Sequence, residues 1–379
     1  MLKRLLALFL CVFICPALVS AVPRRLSHTN AAPSLSAESA VLIEANGGNI
    51  LCEKNAHSRM AMASTTKIMT ALVAAEKGDL DRVVSVSAEA VGVEGSSIYL
   101  YAGERITLGD LLSAMLLESA NDAAAAIAIE IGGSIEGFCE MMNDKAAELG
   151  LTDTHFTNPH GLFDENHYTT AYELAIIARE AMKNETIRDT VATRKLIIEP
   201  VVGNVRTLYN HNKMLAMYEG ANGIKTGFTK KSGRCLIGSA ERDGLLLISV
   251  TLNAPDDWSD HRSLFNFGFE NFSSINLASR KTTCYMQDIM GGNEQKLPLL
   301  YEDDVFVTLE KSSGQQVKMI VETFNRYEVA PIYEGKTFGR AVWLLDGEEI
   351  AEVALISALS VEREKTNGSL FSKIINLFK

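Results

Sequence analysis

The chain has 379 residues, 47% of them apolar, which excludes an intrinsically disordered protein and supplies enough material for a large core. Its 36 Lys and Arg face 47 Asp and Glu, a formal net charge of −11, and such an acid balance argues against nucleic acid as a partner. The length is more than one core normally organises, so two domains are expected.

At the N-terminus, Lys3 and Arg4 precede an apolar run from Leu5 to Leu18, followed by Val19-Ser20-Ala21. Basic, apolar and small residues in that order form a secretory signal peptide over 1–21, so export is expected. The run is short for a span, and no later stretch of about 20 apolar residues predicts a transmembrane helix. Residues 22–37 are polar with Pro and Ser, and read as a loose leader. Residues 40–44 and 49–54 read as strands around Asn46-Gly47-Gly48, a hairpin signal. After Ser64 the apolar residues Ile68, Met69, Leu72 and Val73 recur at helical spacing, with Gly78 as the stop. Residues 83–88 alternate as a strand does. From Thr107 to Gly150 the pattern is helix after helix, with Thr107, Asn121 or Asp122, and Ser134 as caps. Thr170-Ala171-Tyr172-Glu173 is a capping box that opens a further helix to about Lys183. Strands follow at 195–202 and 205–209, at 223–229, and at 234–240 and 245–252 around Arg242-Asp243-Gly244, before a helix at about 258–271. Early and late strands with helices between them predict an α+β fold, an antiparallel sheet carrying a helical lobe, over residues 38–278. Residues 279–362 read as a small β domain with strands at 304–309, 317–323, 341–345 and 349–358.

Four cysteines remain beyond the signal peptide, Cys52, Cys139, Cys235 and Cys284. They lack the spacing of a zinc site and are too few for a disulfide framework, so they read as buried thiols. No H-E-x-x-H is present, and neither a metal nor a cofactor is expected.

Three short motifs carry chemistry. Ser64-Thr65-Thr66-Lys67 is an S-x-x-K at a helix start, where positions i and i+3 share a face and Lys67 can reach the Ser64 hydroxyl. Ser119-Ala120-Asn121 is an S-x-N between two predicted helices. Lys225-Thr226-Gly227 lies on a late strand. Each alone has a bland explanation: a helix cap with a solvated lysine, a second cap, a strand-end lysine with a turn glycine. Together they stand in a fixed order, 55 and 106 residues apart, and that ordered set marks β-lactamases and penicillin-binding proteins.

With the segments around these motifs, the chain resembles the low-molecular-mass penicillin-binding proteins that are serine-type D-alanyl-D-alanine carboxypeptidases. The likeness rests on Lys54-Asn55-Ala56-His57, Ala63-Ser64-Thr65-Thr66-Lys67-Ile68-Met69-Thr70, Asn158-Pro159-His160-Gly161-Leu162, Asn210-His211-Asn212-Lys213 and Gly223 to Thr229. It runs from about residue 36 to 275, and Ala330 to Val361 resembles the family's β-rich second domain. The resemblance implies a β-lactamase/transpeptidase-like fold and removal of the terminal D-Ala from peptidoglycan stem peptides through a serine acyl-enzyme that β-lactam antibiotics also form. It implies catalytic roles for Ser64, Lys67 and Ser119, and substrate-binding roles for Asn121, Lys225, Thr226, Gly227 and Phe228. Phe228 stands where some members carry histidine, so only its backbone N–H inherits a role. A β-lactamase is disfavoured because no E-x-x-L-N lies between Ser119 and Lys225, and a non-catalytic wall-binding module because all three motifs are intact.

The C-terminus, 363–379, reads as a membrane anchor. At about 100° per residue, Leu370, Phe371, Ile374, Ile375, Leu377 and Phe378 fall within roughly 160° of arc. The stripe is too short to span a bilayer and suits an interfacial helix. The expected place of action is the outer face of the cytoplasmic membrane, at the cell wall.

Overall fold

The computed structural model of the protein describes residues 24–26, 30–311 and 316–364. The predicted signal peptide over 1–21 and the predicted anchor beyond Glu364 lie outside the described residues. No helix among the described residues is long and apolar enough to cross a membrane.

The first part of the chain runs β1 (Ser39–Glu44), β2 (Ile50–Lys54), α1 (Lys67–Lys77), β3 (Val83–Ser85), β4 (Arg105–Thr107), α2 (Leu108–Leu117), α3 (Asn121–Gly132), α4 (Ile135–Glu148), α5 (Ala171–Ala181), α6 (Glu185–Ala192), β5 (Lys195–Ile198), β6 (Arg206–Tyr209), α7 (Met214–Met217), β7 (Ala221–Thr229), β8 (Gly233–Arg242), β9 (Leu245–Leu252) and α8 (Asp257–Asn271). Five strands form one antiparallel sheet in the order β2-β1-β9-β8-β7. Both of its faces are covered, and the alternation of side chains sorts the residues accordingly. Val41, Ile43, Ile237, Ile248 and Val250 pack with the helical lobe. Their neighbours Ala40, Leu42, Leu236 and Leu247 pack with Leu264 and Phe265 of α8. This is the predicted α+β domain. α1 is buried on every side from Lys67 to Ala74, as befits the central helix of the lobe.

Local signals hold where a side chain does the job expected of it. The Thr107 hydroxyl accepts from Asp110 N at 3.0 Å, Ser134 from Gly137 N at 3.0 Å and Thr170 from Glu173 N at 3.0 Å. The buried Glu44 carboxylate closes the first hairpin by accepting from the N–H of Gly47 and of Asn49, each at 2.9 Å. Several expectations need correction. The cap of α3 is Ala120, not Asn121 or Asp122, because those side chains are committed elsewhere. Glu173 does not return to its own cap; its carboxylate takes the N–H groups of Thr152 and Asp153 and the Thr154 hydroxyl. The segment 22–37 is not loose in its described part. Leu26 and Arg24 pair with the backbone of Ile50, and the buried Asp260 carboxylate accepts from Ser36 N, Ser36 Oγ and Ala37 N. The short helices α6 and α7 carried no signal strong enough to predict them.

The second part runs β10 (Phe272–Ala278), β11 (Thr283–Met290), β12 (Lys296–Tyr301), β13 (Val305–Glu310), β14 (Val317–Thr323), β15 (Tyr327–Val329), β16 (Thr337–Leu345) and β17 (Glu348–Ser357). Six of these form a sheet in the order β14-β16-β17-β12-β11-β15, while β10 pairs with β13. Residues 272–278 were placed with the domain over 38–278, but the strand they form, β10, has its partner in the β-rich part. β10, β11, β12 and β15 were not predicted. The core here is Leu297, Leu299, Phe338, Trp343 and Leu355.

Among the described residues the four cysteines are unpaired, and three are buried. Burial pushes the thiols of Cys52, Cys139 and Cys235 up to about 11, which makes them poor nucleophiles at neutral pH.

Candidate active site

Ser64 sits in a 3₁₀ turn, Ala63–Thr66, that leads directly into α1 at Lys67. The turn is tighter than the α-helix expected there. In a 3₁₀ turn residues i and i+3 are eclipsed, and Lys67 Nζ lies 3.0 Å from Ser64 Oγ. The turn is held from several sides. Ala63 adopts a left-handed φ of 48°, a conformation costly for a residue with a Cβ. Its carbonyl accepts from Thr66 Oγ1 at 2.8 Å. The His167 ring lies 2.8 Å from the same Thr66 hydroxyl, and its other nitrogen accepts from Thr157 N at 3.1 Å. Burial holds His167 down at about 4, so the imidazole is neutral. Gly161, at φ 89°, passes so close that a Cβ there would lie 1.9 Å from the Ala63 carbonyl oxygen. Only glycine fits.

Lys67 is wholly buried. Besides Ser64, its Nζ is 2.6 Å from Asn121 Oδ1 and 2.6 Å from the His160 carbonyl oxygen. Burial pushes its pKa well below that of an ordinary lysine, the charge of Lys225 pushes the same way, and Asp122 opposes them. Lys225 is also buried, and desolvation brings it down to about 7. Two buried amines therefore stand side by side, each with its charged form disfavoured.

The S-x-N segment supplies the adjoining wall. Ser119 has a left-handed φ of 61°, which breaks the path between α2 and α3. Asn121 then opens α3 with its amide facing Lys67, while Nδ2 donates to the Glu94 carbonyl. Asp122 turns the other way and ties down a neighbouring loop, accepting from Ser97 Oγ at 2.6 Å, Ile98 N at 3.2 Å and Leu100 N at 3.0 Å. Ser119 is buried at the cleft. Among the described residues its hydroxyl makes no hydrogen bond to either lysine.

β7 completes the site. It is the edge strand of the sheet, so the backbone groups on its outer side have no ladder partner and suit an extended ligand. Lys225 points inward and donates to the Thr226 carbonyl at 3.0 Å. A Cβ on Gly227 would lie 3.0 Å from the backbone nitrogens of Ser64 and Thr65, so this glycine lets the strand lie against the serine turn. Phe228 is 63% exposed. A cleft of about 360 Å³ opens between these elements, lined by Ser64, Ser119, Thr226, Phe228, Arg234 and Trp258 among others. All eight residues singled out from the sequence converge here. Ser64, Ser119, Thr226, Gly227 and Phe228 line the cleft, and Lys67, Asn121 and Lys225 lie buried beneath it. The sequence reading missed the His160 carbonyl, Asp122 and Arg234. The first is a backbone atom and invisible to side-chain motifs. The acid beside Asn121 was visible only as a cap. Arg234 reaches the cleft through strand pairing that no local pattern reports.

The chain is similar to known proteins over most of its length. Residues 27–256 match the model of the D-alanyl-D-alanine carboxypeptidase peptidase family S11, and residues 272–363 match that of the penicillin-binding protein 5 C-terminal domain. The chain is 34% identical to the D-alanyl-D-alanine carboxypeptidase DacF of Bacillus subtilis over 83% of each chain. Its fold is similar to that of penicillin-binding protein 5 from Haemophilus influenzae, with a TM-score of 0.72 at 28% identity, covering 88% of this chain and all of the other. A Streptomyces K15 DD-transpeptidase variant is similar over 63% of this chain and 99% of its own, with a TM-score of 0.60 at 33% identity. The match of residues 27–256 and the 34% identity over 83% of the chain show the family: the chain belongs to the D-alanyl-D-alanine carboxypeptidase family of serine peptidases.

Proposed function

We propose that Ser64 is the nucleophile that removes the terminal D-Ala from peptidoglycan stem peptides ending in D-Ala-D-Ala, through an acyl-enzyme that β-lactams also form. The observation that carries this reading is the coordination of Lys67. A neutral amine has two N–H donors and one lone pair. Asn121 Oδ1 and the His160 carbonyl are acceptors only, at 2.6 Å each. They take the two hydrogens, and the lone pair is left for the Ser64 hydroxyl 3.0 Å away. The same contacts that bury the amine and lower its pKa thus aim it as a general base.

In the first step the Ser64 proton passes to Lys67 as Oγ attacks the penultimate D-Ala carbonyl. The oxyanion is held by the N–H groups of Ser64 and Phe228. As the C–N bond breaks, the leaving amine of D-Ala takes a proton from Lys67 by way of Ser119. The terminal carboxylate is bound by Lys225 and Thr226, with Gly227 keeping the strand close and Asn121 steadying Lys67 and the substrate amide. Water, deprotonated by Lys67, then attacks the ester and frees Ser64. No step calls for a metal or cofactor.

The test is intact-mass analysis with a penicillin, alongside D-Ala release from a D-Ala-D-Ala peptide. The parent forms one adduct and releases D-Ala, and Ser64→Ala does neither while keeping its thermal transition. A full-yield adduct in Ser64→Ala sinks the assignment. For the ends of the chain, we propose export through the signal peptide and attachment of the mature enzyme to the outer face of the cytoplasmic membrane by Leu370–Lys379. Truncation after Thr366 should abolish partition onto anionic vesicles, and equal partition of both forms would refute the anchor.

A further inference from the structure

We infer that Tyr99, together with Tyr209 on the neighbouring hairpin, is a stacking platform for the sugar chain to which the stem peptide is attached; this rests on the reading of the cleft as a D-Ala-D-Ala site and extends the substrate from a peptide to a glycopeptide. Both tyrosines are rooted at the cleft. Residues 86–104 join β3 to β4, and within them Ser96 lines the cleft while its carbonyl accepts from Asn121 N at 2.7 Å. Tyr99 follows three residues later, at most about 11 Å along an extended chain. Tyr209 ends β6 and donates its N–H to Glu118 Oε1 at 2.6 Å. The other Glu118 oxygen lies 3.1 Å from Nε2 of His211, a cleft-lining residue two positions on and so within about 7 Å of chain. The platform therefore adjoins the wall built by Ser119 and Asn121, not the edge strand β7.

Tyr99 is fixed in the open. Its φ of 58° is left-handed, a conformation that a bulky side chain rarely adopts. The residue is 86% exposed, so no packing of the ring compensates for that backbone. Hydrogen bonds impose it from both sides. Tyr99 N donates to Ser97 Oγ at 2.9 Å, and Asp122 holds the N–H groups of Ile98 and Leu100. Arg206 of β6 donates from Nε to the Ile98 carbonyl at 2.8 Å and from Nη2 to the Tyr99 carbonyl at 3.2 Å. Arg206 is itself bonded to the buried Glu104 carboxylate at 2.9 Å. A strained and rigidly held ring that contributes nothing to the core is preorganised for something outside it.

The hairpin β5–β6 continues the surface. Lys195 pairs with Tyr209 and Ile197 with Thr207. Opposed residues share a face, and these four are exposed while Ile198 and Leu208 pack into the lobe. The Lys195 ammonium stands 5.6 Å from the centre of the Tyr209 ring. The chemistry selects the occupant. A pyranose has an apolar face of C–H bonds that stacks on an aromatic ring, and a rim of hydroxyl and acetamido groups that takes hydrogen bonds. Tyrosine rings set among Lys195, Thr207 and Ser96 offer both. The reach agrees. A stem peptide with three residues before its D-Ala-D-Ala end joins the glycan through its N-terminus, and three extended residues cover about 11 Å. That is the distance over which either ring is joined to the cleft wall. Val201 and Val205 at the tip of the hairpin are exposed as well, which makes a second copy of the chain the competing occupant.

The experiment uses the mature protein and one stem pentapeptide in two forms, bare and linked to its N-acetylated disaccharide, with D-Ala release as the readout. The parent is expected to show a kcat/KM about 10-fold higher for the disaccharide form, mostly through KM. Tyr99→Asn, whose side chain tolerates the left-handed backbone, should erase most of that preference and leave the bare peptide and penicillin acylation within about 2-fold of the parent. Tyr99→Phe keeps the ring and should keep the preference. Tyr209→Ala, on a separate element, should lower the preference about 3-fold. Equal losses on both substrates in Tyr99→Asn would show that Tyr99 only shapes the wall around Asn121 and overturn the assignment. Equal turnover of the two substrates by the parent would overturn it too while leaving the D-Ala-D-Ala reading intact, and a parent dimer in ultracentrifugation that Tyr99→Asn separates would then give the surface to a second copy of the chain. If the parent releases D-Ala from neither substrate and forms no adduct at Ser64, the reading of the whole cleft falls and this one with it.

Discussion

The two halves of the protein bury different things. Beneath the cleft lie Lys67, Lys225, Asn121 and Asp122, and the same half also buries Glu44, Glu104, His167, Asp257, Asp260 and His261. From residue 272 onward, the buried polar side chains among the described residues are Gln287, Thr308 and Ser357, none of them charged. The β-rich half keeps its charges outside, as in the network of Arg340 with Glu322, Glu349 and Glu352. On the mechanism proposed above, the first interior retains groups that cost stability because it moves protons, and an interior that only holds strands together excludes them.

The largest way to break that contrast is at Lys67. Lys67→Arg keeps the charge but cannot act as a base. Acylation by a penicillin, followed by stopped-flow or quenched mass analysis, should slow by about a thousandfold or more, roughly 4 kcal/mol of barrier. A near-normal rate would mean that the buried amine is structural and that the two interiors do not differ in kind. Next comes the core of the β-rich half. Phe338 is fully buried, and Phe338→Ala should destabilise that domain by about 3–5 kcal/mol. Calorimetry should show its transition fall, with the acylation rate unchanged below that temperature. A matching loss of acylation would show that the halves are energetically one unit.

A smaller effect of opposite sign is expected at Lys225. Its folded pKa is about 7, below the roughly 10.4 of an unfolded lysine. Between those values the unfolded chain binds a proton that the fold does not. The contribution to stability is therefore complete above about pH 10.4 and is lost as pH falls toward 7. Lys225→Met should then melt a few degrees higher than the parent at pH 7 while losing activity, and the gap should close as pH approaches 10. A variant that melts lower at pH 7 would contradict the cost assigned to the buried amine. The smallest effect belongs to Arg340→Ala. Its partners are half-exposed, so the loss should stay within about 1 kcal/mol by denaturant titration and shrink further in salt. A loss of several kcal/mol would place an essential charge in the half described as free of them.

Much of this was legible in the sequence where one residue sufficed. Asn46-Gly47-Gly48 and Arg242-Asp243-Gly244 marked hairpins that formed, and Thr107, Ser134 and Thr170 marked helix starts that they cap. The three motifs found one another because their order is itself information. What escaped depends on partners far along the chain. Nothing near Phe272 shows that α8 gives way at once to a strand, because no Gly or Pro separates them and the reason is pairing with Val305–Glu310. Asn121 looked like a cap because asparagine usually is one; here Lys67 claims its side chain and Ala120 takes the position. Arg234 was unremarkable until β8 set it opposite Phe228.

The central sheet imposes an order on how the molecule is made. β1 lies between β2 and β9, with Ser39 paired to Leu252 about two hundred residues later. A ribosome must therefore deliver nearly all of the first half before β1 has both neighbours. Until then β1, a run of six residues buried in the finished sheet, has one bare edge, the condition under which strands find wrong partners. Folding dominated by such distant pairings is slow, because loop closure comes before the contacts that reward it. The lobe from α1 to α6, whose contacts are closer in sequence, is the part able to form first and shelter that edge.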